Sequence, residues 1–266
     1  MNFNCVSMIQ QMIESIPSAA RTNIHLSIVD NSGEITSSDF GQFVSSFDQL
    51  DVLSPNENLG YFGGADYAVK AIGAKLKKFA SVLIVNPDII FDGKFFSQLA
   101  IVLDDAESAG AIFPTVFDTN EQCDMNPFLA SRPPKSFLDT RIRAFSNRLT
   151  FLFWNLASMF KRKLASVQNT PVNNAQSVTE IYAGHGALMI FTPDFFRLGG
   201  TFERPTFLYS EELFIAEQCR QVNLICVHYP ELKTTHVSHA TTSLVPGNSR
   251  RVWALESLKH IRDSYY

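Results

Sequence analysis

The chain has 266 residues, a formal net charge of −4 and an apolar fraction of 45%, which suits one large α/β domain or two small ones with a well-buried core. The acidic balance argues against general nucleic-acid binding, which needs a basic surface to displace counterions. Cys5, Cys123, Cys219 and Cys226 form no CxxC pair, so neither a structural zinc site nor a redox motif is indicated, and no secretory leader or uninterrupted apolar span is evident. The reading is a cytoplasmic chain in a reducing compartment.

Residues 8–16 carry apolar side chains at helical spacing. Residues 24–29 read as a strand stopped by Asp30-Asn31-Ser32-Gly33, and 51–53 as a short strand. A glycine-rich turn leads into a predicted helix over 65–78. The apolar run 81–85 is a strand stopped by Asn86-Pro87-Asp88; helix 93–106 and strand 110–113 follow. This alternation predicts a mainly parallel, doubly wound sheet flanked by helices, with active groups at the carboxyl ends of its strands.

Residues 115–180 break the rhythm. Pro127, Pro133 and Pro134 mark a loop, and 141–165 reads as one amphipathic helix rich in Phe, Leu and Trp with basic ends. The pattern resumes with strand 181–191, helix 211–221, strands 223–228 and 233–237 and a C-terminal helix over 249–262. Phe is frequent, at 23 residues; most belongs to the core, and some can line an apolar groove.

Several residues can carry chemistry, each with a plainer alternative. Asp88 follows a buried strand, where it either holds a hard cation such as Mg²⁺ or Mn²⁺ or belongs to an ordinary proline turn. NLGYFGGAD (58–66) places Gly60, Gly63 and Gly64 at a helix start that favours anions. It has neither GxGxxG spacing nor a P-loop's GK[ST], and alone it reads as a tight strand-to-helix connection. Asp30 either accepts hydrogen bonds from a nucleotide or caps its own turn. Glu211 and Glu212 open a helix: one suits the helix dipole, the other a general base for an acceptor hydroxyl. His236 follows a strand and can ligate a metal as a neutral imidazole, with His239 assisting, or can simply be hydrogen-bonded. His185, in the AGHGA turn, is structural or faces the acceptor.

In order and spacing, VDNSG (29–33), NLGYFGGAD (58–66), VNPD (85–88), GHGALMIFTPDFFRLGGTFERPTFLYSEE (184–212) and THVSHATTS (235–243) resemble the family-2 glycosyltransferases, most closely their rhamnosyltransferase-like branch. The resemblance implies a GT-A fold and a nucleotide-diphosphate sugar donor. It implies a nucleotide-binding half over 1–114, a variable helical insert over 115–180 and an acceptor and catalytic half over 181–266. Asp30 matches the acid that contacts the base; Asn58 and Gly60 match the turn beside the nucleotide, and Asp66 stands where the family often has Asn. Asn86 and Asp88 match the DxD-like element, with Asp88 as metal-binding acid. Gly184, His185 and Gly186 match the floor of the donor and acceptor pocket. Glu212 matches the catalytic base, usually an Asp, so Glu211 is a partner or an alternative base. His236 matches a late histidine near metal and diphosphate. The family's first buried strand has no counterpart, and the expectation is that the chain begins inside a longer natural one.

The reaction implied is an inverting, metal-assisted displacement, with Mg²⁺ or Mn²⁺ as cofactor and dTDP-rhamnose or a UDP-sugar as donor. The acceptor is a glycan or lipid-linked glycan of bacterial surface polysaccharide, such as O-antigen or capsule. Helix 141–165 either lies on the cytoplasmic face of the inner membrane, with Arg141, Arg143, Arg148, Lys161, Arg162 and Lys163 meeting anionic headgroups, or packs on the core. The competing readings are a non-catalytic binding protein of glycosyltransferase fold and a nucleotidyltransferase. The latter calls for a basic glycine-rich N-terminal loop that this chain lacks.

Overall fold

The computed structural model describes residues 6–154, 156, 177–237 and 247–266. It is an α/β structure with a mixed sheet flanked by helices and a C-terminal helix. Helices α1 (Val6–Ser15) and α2 (Ser18–Arg21) precede strand β1 (His25–Val29). Strand β2 (Gln49–Leu53) pairs with β1 in parallel, and the two form a sheet of their own. Helix α3 (Gly60–Ile72) leads to β3 (Val82–Val85), and β4 (Ile89–Phe91) follows the Asn86-Pro87-Asp88 turn. Then come α4 (Phe95–Asp105), the long β5 (Ala109–Asp118), the short β6 (Cys123–Asp124) and α5 (Lys135–Ser146). The second half holds β7 (Thr179–Ile181), β8 (Leu188–Phe191), α6 (Pro193–Arg197), α7 (Glu211–Gln221), β9 (Ile225–His236) and α8 (Gly247–Tyr265).

The seven-stranded sheet runs β3-β8-β5-β9-β4, with β6 on β5 and β7 on β9. It is mixed rather than mainly parallel: β5 and β9 pair in parallel, while β3–β8, β5–β8, β4–β9, β5–β6 and β7–β9 are antiparallel. Alternating apolar residues predict a strand without predicting its direction, and here the second half of the chain returns through the sheet by antiparallel strands. The sheet divides the core. Ile112, Val116, Leu188 and Ile190 face the layer holding Ile13 of α1 and Phe95 of α4. Phe113, Met189 and Phe191 face the layer holding Phe62, Leu138, Leu213, Phe214 and Leu258. The period-2 alternation of β5 and β8 thus supplies both layers.

Other boundaries move for local reasons. The expected helix 65–78 begins at Gly60 and ends at Ile72, where Gly73 takes a φ of 57° and the lysine-rich end tightens into a 3₁₀ turn. The expected strand 110–113 continues to Asp118 through Pro114, where the β5–β9 register shifts because proline has no N–H for the ladder. The run 181–191 is two strands separated by the segment around Gly184–Ala187. Strands 223–228 and 233–237 are one strand, β9, irregular opposite Pro114 and Thr115. The single helix 141–165 is also corrected. α5 starts after Pro134 and stops at Asn147, whose backbone is extended; residues 148–154 are helical again, and 157–165 lie outside the described residues.

The buried Glu217 on α7 accepts hydrogen bonds from Arg132 Nε (2.7 Å), Arg220 Nε (3.1 Å) and the Tyr182 hydroxyl (2.8 Å). Arg132 also donates to the Tyr265 carbonyl. One buried carboxylate, fully partnered, therefore ties α7 to the loop before α5 and to the end of α8.

Candidate active site

The pairing of β9 fixes the first part of the site. His236, its last residue, lies opposite Ile89 of β4 on one side and Asp118 of β5 on the other. Asp88, one residue before Ile89, and Asp118 therefore flank the same imidazole. His236 Nε2 is 3.2 Å from Asp88 Oδ2, and His236 Nδ1 is 3.0 Å from Asp118 Oδ2. The Val237 amide donates to the Asp88 carbonyl, and the Thr119 amide to the His236 carbonyl. Burial alone lowers the basicity of His236, but the two carboxylates, Asp88 before Asp118, outweigh it and raise its pKa.

Asp88 Oδ1 is buried and without a hydrogen-bond partner, a costly state for a carboxylate oxygen unless something else binds it. A carboxylate oxygen and an imidazole nitrogen side by side are donors that Mg²⁺ or Mn²⁺ accepts, the remaining positions falling to phosphate oxygens and water. Among the described residues no group of three or more His, Cys, Asp or Glu side chains forms a metal cage. Asp88 and His236 thus fit a shared metal seat completed by a ligand. His239 lies outside the described residues.

His185 stands beside this pair, its ring centroid 6.2 Å from that of His236. Burial, then the neighbouring His236, lower its pKa to about 4, so the ring is neutral near pH 7. The Asn126 side chain positions it: Oδ1 accepts the His185 amide at 2.6 Å, and Nδ2 donates to the Pro114 carbonyl at 2.6 Å. Gly184 packs on the Phe113 ring, in space a side chain would occupy.

The second part is the start of α7. Tyr209 and Ser210 both have positive φ (75° and 61°), a strained conformation for non-glycine residues, and they turn the chain so that Glu211 and Glu212 enter the helix pointing inward. Arg204 stabilises the turn by donating to the carbonyls of Thr206 and Tyr209. Its Nη2 is also 3.1 Å from Glu211 Oε1, both side chains being buried. That contact supplies charge without hydrogen-bond alignment, since Glu211 Oε1 has no hydrogen-bond partner, and Glu211 stays raised by burial. Glu212 is raised to about 7 by burial and then by the Glu211 charge, against hydrogen bonds from its own amide and that of Gly186.

Tyr61 connects the two parts. Its hydroxyl donates to the Gly186 carbonyl at 2.8 Å. After burial, the charges of Glu211, Glu212 and Asp88 raise its pKa further, so both acid groups lie within electrostatic reach of one ring. A carboxyl with a pKa near neutrality and the Asp88–His236 pair are thus both coupled to the Tyr61 ring.

The other residues that the sequence singled out sit at the β1–α3 edge and nearby. Asp30 is fully buried, and its carboxylate accepts from the Ser32 amide and hydroxyl and the Ile35 amide. Asn31 accepts from the Leu59 amide and donates to the Gly60 carbonyl. Asn58 Oδ1 accepts the Gly60 amide at 3.0 Å. Gly60 has a φ of 74°, and a Cβ there would overlap the Phe207 carbonyl. Asp66 pairs with Lys70 one turn on, at 2.7 Å. The Asn86 amide donates to the Ala187 carbonyl, joining the β3–β4 turn to the segment before β8.

The structure thus brings Asp88 and His185 beside His236 and Gly186 beside Glu212, with Tyr61 in electrostatic reach of Asp88, Glu211 and Glu212; Asp30, Asn58 and Gly60 lie at the β1–α3 edge, and Asp66 lies within α3. Sequence reasoning missed Asp118, Asn126, Arg204 and Tyr61. Asp118 had a usable signal: like Asp88, it is an acid ending an apolar strand before turn residues.

This architecture is shared with solved structures. The chain superposes on GalNAc-T7, crystallised with UDP, GalNAc and Mn²⁺, with a TM-score of 0.55 at 10% identity over 90% of this chain. It superposes on residues 1–349 of S. aureus TarS with a TM-score of 0.55 at 11% identity over 99% of this chain. The fold is that of the GT-A glycosyltransferases. The chain spans 42% of the length of the GalNAc-T7 chain and 70% of that TarS fragment. No protein-family model matches the sequence, and no curated protein matches it.

Proposed function

We propose that this GT-A chain transfers a sugar from a nucleotide-diphosphate donor to a hydroxyl acceptor, with inversion, and that Glu212 is the base. The observation that carries the reading is the Glu212 carboxyl at about 7, coupled through Tyr61 to an Asp88–His236 pair whose Asp88 Oδ1 lacks a partner. A base poised near the working pH is what hydroxyl activation calls for. Glu212 takes the acceptor proton while the acceptor oxygen forms its bond to the anomeric carbon. The bond from that carbon to the diphosphate breaks, and its electron pair stays on the phosphate oxygen; a single displacement inverts the centre. Asp88 and His236 would hold a divalent cation, which would supply positive charge for the departing diphosphate. Glu211, held by Arg204, keeps Glu212 protonated to a higher pH than an isolated glutamate. Asn86, Gly184 and His185 line the same floor, and Asp30, Asn58, Gly60 and Asp66 form the nucleotide edge.

The donor class we propose is dTDP-rhamnose or a UDP-sugar, and the acceptor a glycan or lipid-linked glycan of bacterial surface polysaccharide. No helix among the described residues is long and apolar enough to cross a membrane. Leu149, Leu152, Phe153 and Leu156, at i, i+3, i+4 and i+7, are each more than half exposed, which supports peripheral contact with a lipid surface. Arg141 does not take part as a free cation: its guanidinium lies 4.3 Å from the Phe137 ring centroid and burial lowers its pKa. Arg148 donates to Asn248. Flotation with anionic vesicles tests this contact, and protein remaining at the bottom of the gradient removes it.

A non-catalytic reading, in which the fold binds a partner or donor without turnover, draws on one observation: the Asp30 carboxylate is already engaged by its own turn. Release of nucleotide diphosphate from a panel of UDP-, dTDP- and GDP-sugars, with and without Mn²⁺ or Mg²⁺, separates the two. Metal-dependent release from one donor, abolished in Glu212→Gln, supports the transferase; donor binding without release supports the binder.

A further inference from the structure

A histidine that ligates a metal through Nε2 must present a lone pair there, so its proton belongs on Nδ1, and the group facing Nδ1 decides whether it does. Asp118 faces it. Asp118 Oδ2 is 3.0 Å from His236 Nδ1, and the two residues are partners in the parallel β5–β9 register. The other oxygen, Oδ1, accepts the amides of Asn120 at 2.8 Å and Glu121 at 3.0 Å. The Asp118 side chain is 6% exposed. A carboxylate held by two amide donors is an acceptor only, so it keeps a hydrogen on Nδ1, and Nε2, 3.2 Å from Asp88 Oδ2, is the nitrogen that can exchange its hydrogen for a cation.

We propose that Asp118 is the positioning residue of the metal seat: it fixes the tautomer and ring orientation of His236 so that Nε2 and Asp88 address one cation. The proposal rests on the reading of Asp88 and His236 as a metal pair. Asp118 acts through His236, whose Nδ1 it faces. The backbone makes the arrangement rigid, because the Asp118 turn, the end of β9 and the start of β4 are joined by the Thr119-to-His236 and Val237-to-Asp88 amide bonds.

Asp118→Asn separates this role from turn capping. The amide oxygen still accepts from Asn120 and Glu121, while the amide N–H now faces Nδ1 and favours the opposite tautomer. Mn²⁺ binding, alone and with UDP, is followed by electron paramagnetic resonance in wild type, Asp118→Asn and His236→Ala, with urea melts alongside. Asp118→Asn is expected to weaken Mn²⁺ binding ~10–100-fold, the usual effect of losing an outer partner of a ligating histidine. Wild-type-like affinity in Asp118→Asn, with His236→Ala weakened, overturns the Asp118 role and leaves the metal pair standing. Unchanged binding in His236→Ala, or no binding by wild type, overturns the metal pair and this proposal together. If Asp118→Asn does not fold, nitrogen-15 spectra of wild type with Mg²⁺ and UDP decide: a His236 ring protonated on Nδ1 supports the proposal, and one protonated on Nε2 overturns it.

Discussion

Gly186 leaves the space that the Glu212 carboxylate occupies: a Cβ at position 186 would stand 2.8 Å from Glu212 Oε1. The atom it would meet is the end of a side chain, so Gly186→Ala can be relieved by moving the carboxylate rather than the backbone. The cost to the fold is therefore small, while the base is displaced from the geometry that proton transfer needs. Gly186→Ala is expected to lower kcat ~100-fold or more, with a melting temperature close to wild type. Turnover kinetics beside a thermal melt check this, and wild-type kcat in a correctly folded Gly186→Ala protein counts against Glu212 as the base.

The raised Glu212 carboxyl links activity and stability in opposite senses. As the proposed base Glu212 works when deprotonated, so kcat/KM is expected to rise with pH up to about 7 and to fall about tenfold per unit below it. For stability, its folded pKa lies above the usual glutamate value of 4.5. The fold therefore binds the proton more tightly than the unfolded chain, and this group costs stability progressively as pH rises from about 4.5 to 7, with the full cost above. Glu212→Gln removes that cost. It is expected to abolish turnover and to melt higher than wild type at pH 8, by at most about 3 kcal/mol, with little difference at pH 4.5. A pH series of melts for both proteins checks the sign. A gap that widens toward low pH contradicts it.

How far the sequence disclosed this site depends on the kind of residue. Asp88, Glu211, Glu212 and His236 were readable because each is an ionisable group at the end of a patterned element. Their convergence was not: it depends on β9 running antiparallel to β4 and parallel to β5, and strand direction leaves no trace in alternating hydrophobicity. Asn126 acts on groups far from its own pattern, the Pro114 carbonyl twelve residues back and the His185 amide fifty-nine residues on, and Arg204 acts on the carbonyls of a turn, Thr206 and Tyr209, that no periodicity marks. The helix over 141–165 reads as unbroken because Asn147 interrupts it without proline or glycine.

Arg204 is the buried cation that tolerates Glu211 in the interior. Its side chain is 2% exposed and that of Glu211 9%. Burial lowers its pKa and the two glutamates raise it. Removing it leaves Glu211 uncompensated and the Thr206 and Tyr209 carbonyls without their donor, at a turn already strained at Tyr209 and Ser210. Arg204→Ala is expected to destabilise the chain by ~3–5 kcal/mol, the range for breaking one partner of a buried pair. Arg204→Met with Glu211→Leu should recover part of that loss, because no charge is then stranded. Urea denaturation of the single and double variants checks it, and a double variant no more stable than Arg204→Ala overturns the ion-pair account.

Asp30 distinguishes a turn from a nucleotide contact. Its carboxylate binds the Ser32 amide and hydroxyl on one oxygen and the Ile35 amide on the other. Burial raises its pKa, but these hydrogen bonds outweigh burial and leave it lowered. A lowered carboxylate adds stability above the unfolded pKa, and that contribution is lost as pH falls below 4 through the lower folded value. Asp30→Asn turns an amide donor toward either the Ser32 or the Ile35 donors, so the folded protein is expected to lose ~1–3 kcal/mol at pH 7. If the carboxylate serves only the turn, the folded fraction of Asp30→Asn binds each nucleotide as wild type does. If Asp30 also reaches the donor's base or ribose, affinity changes unequally across UDP-, dTDP- and GDP-sugars. Calorimetric titration of the three nucleotides into both proteins, below the melting range of the weaker one, decides between these outcomes.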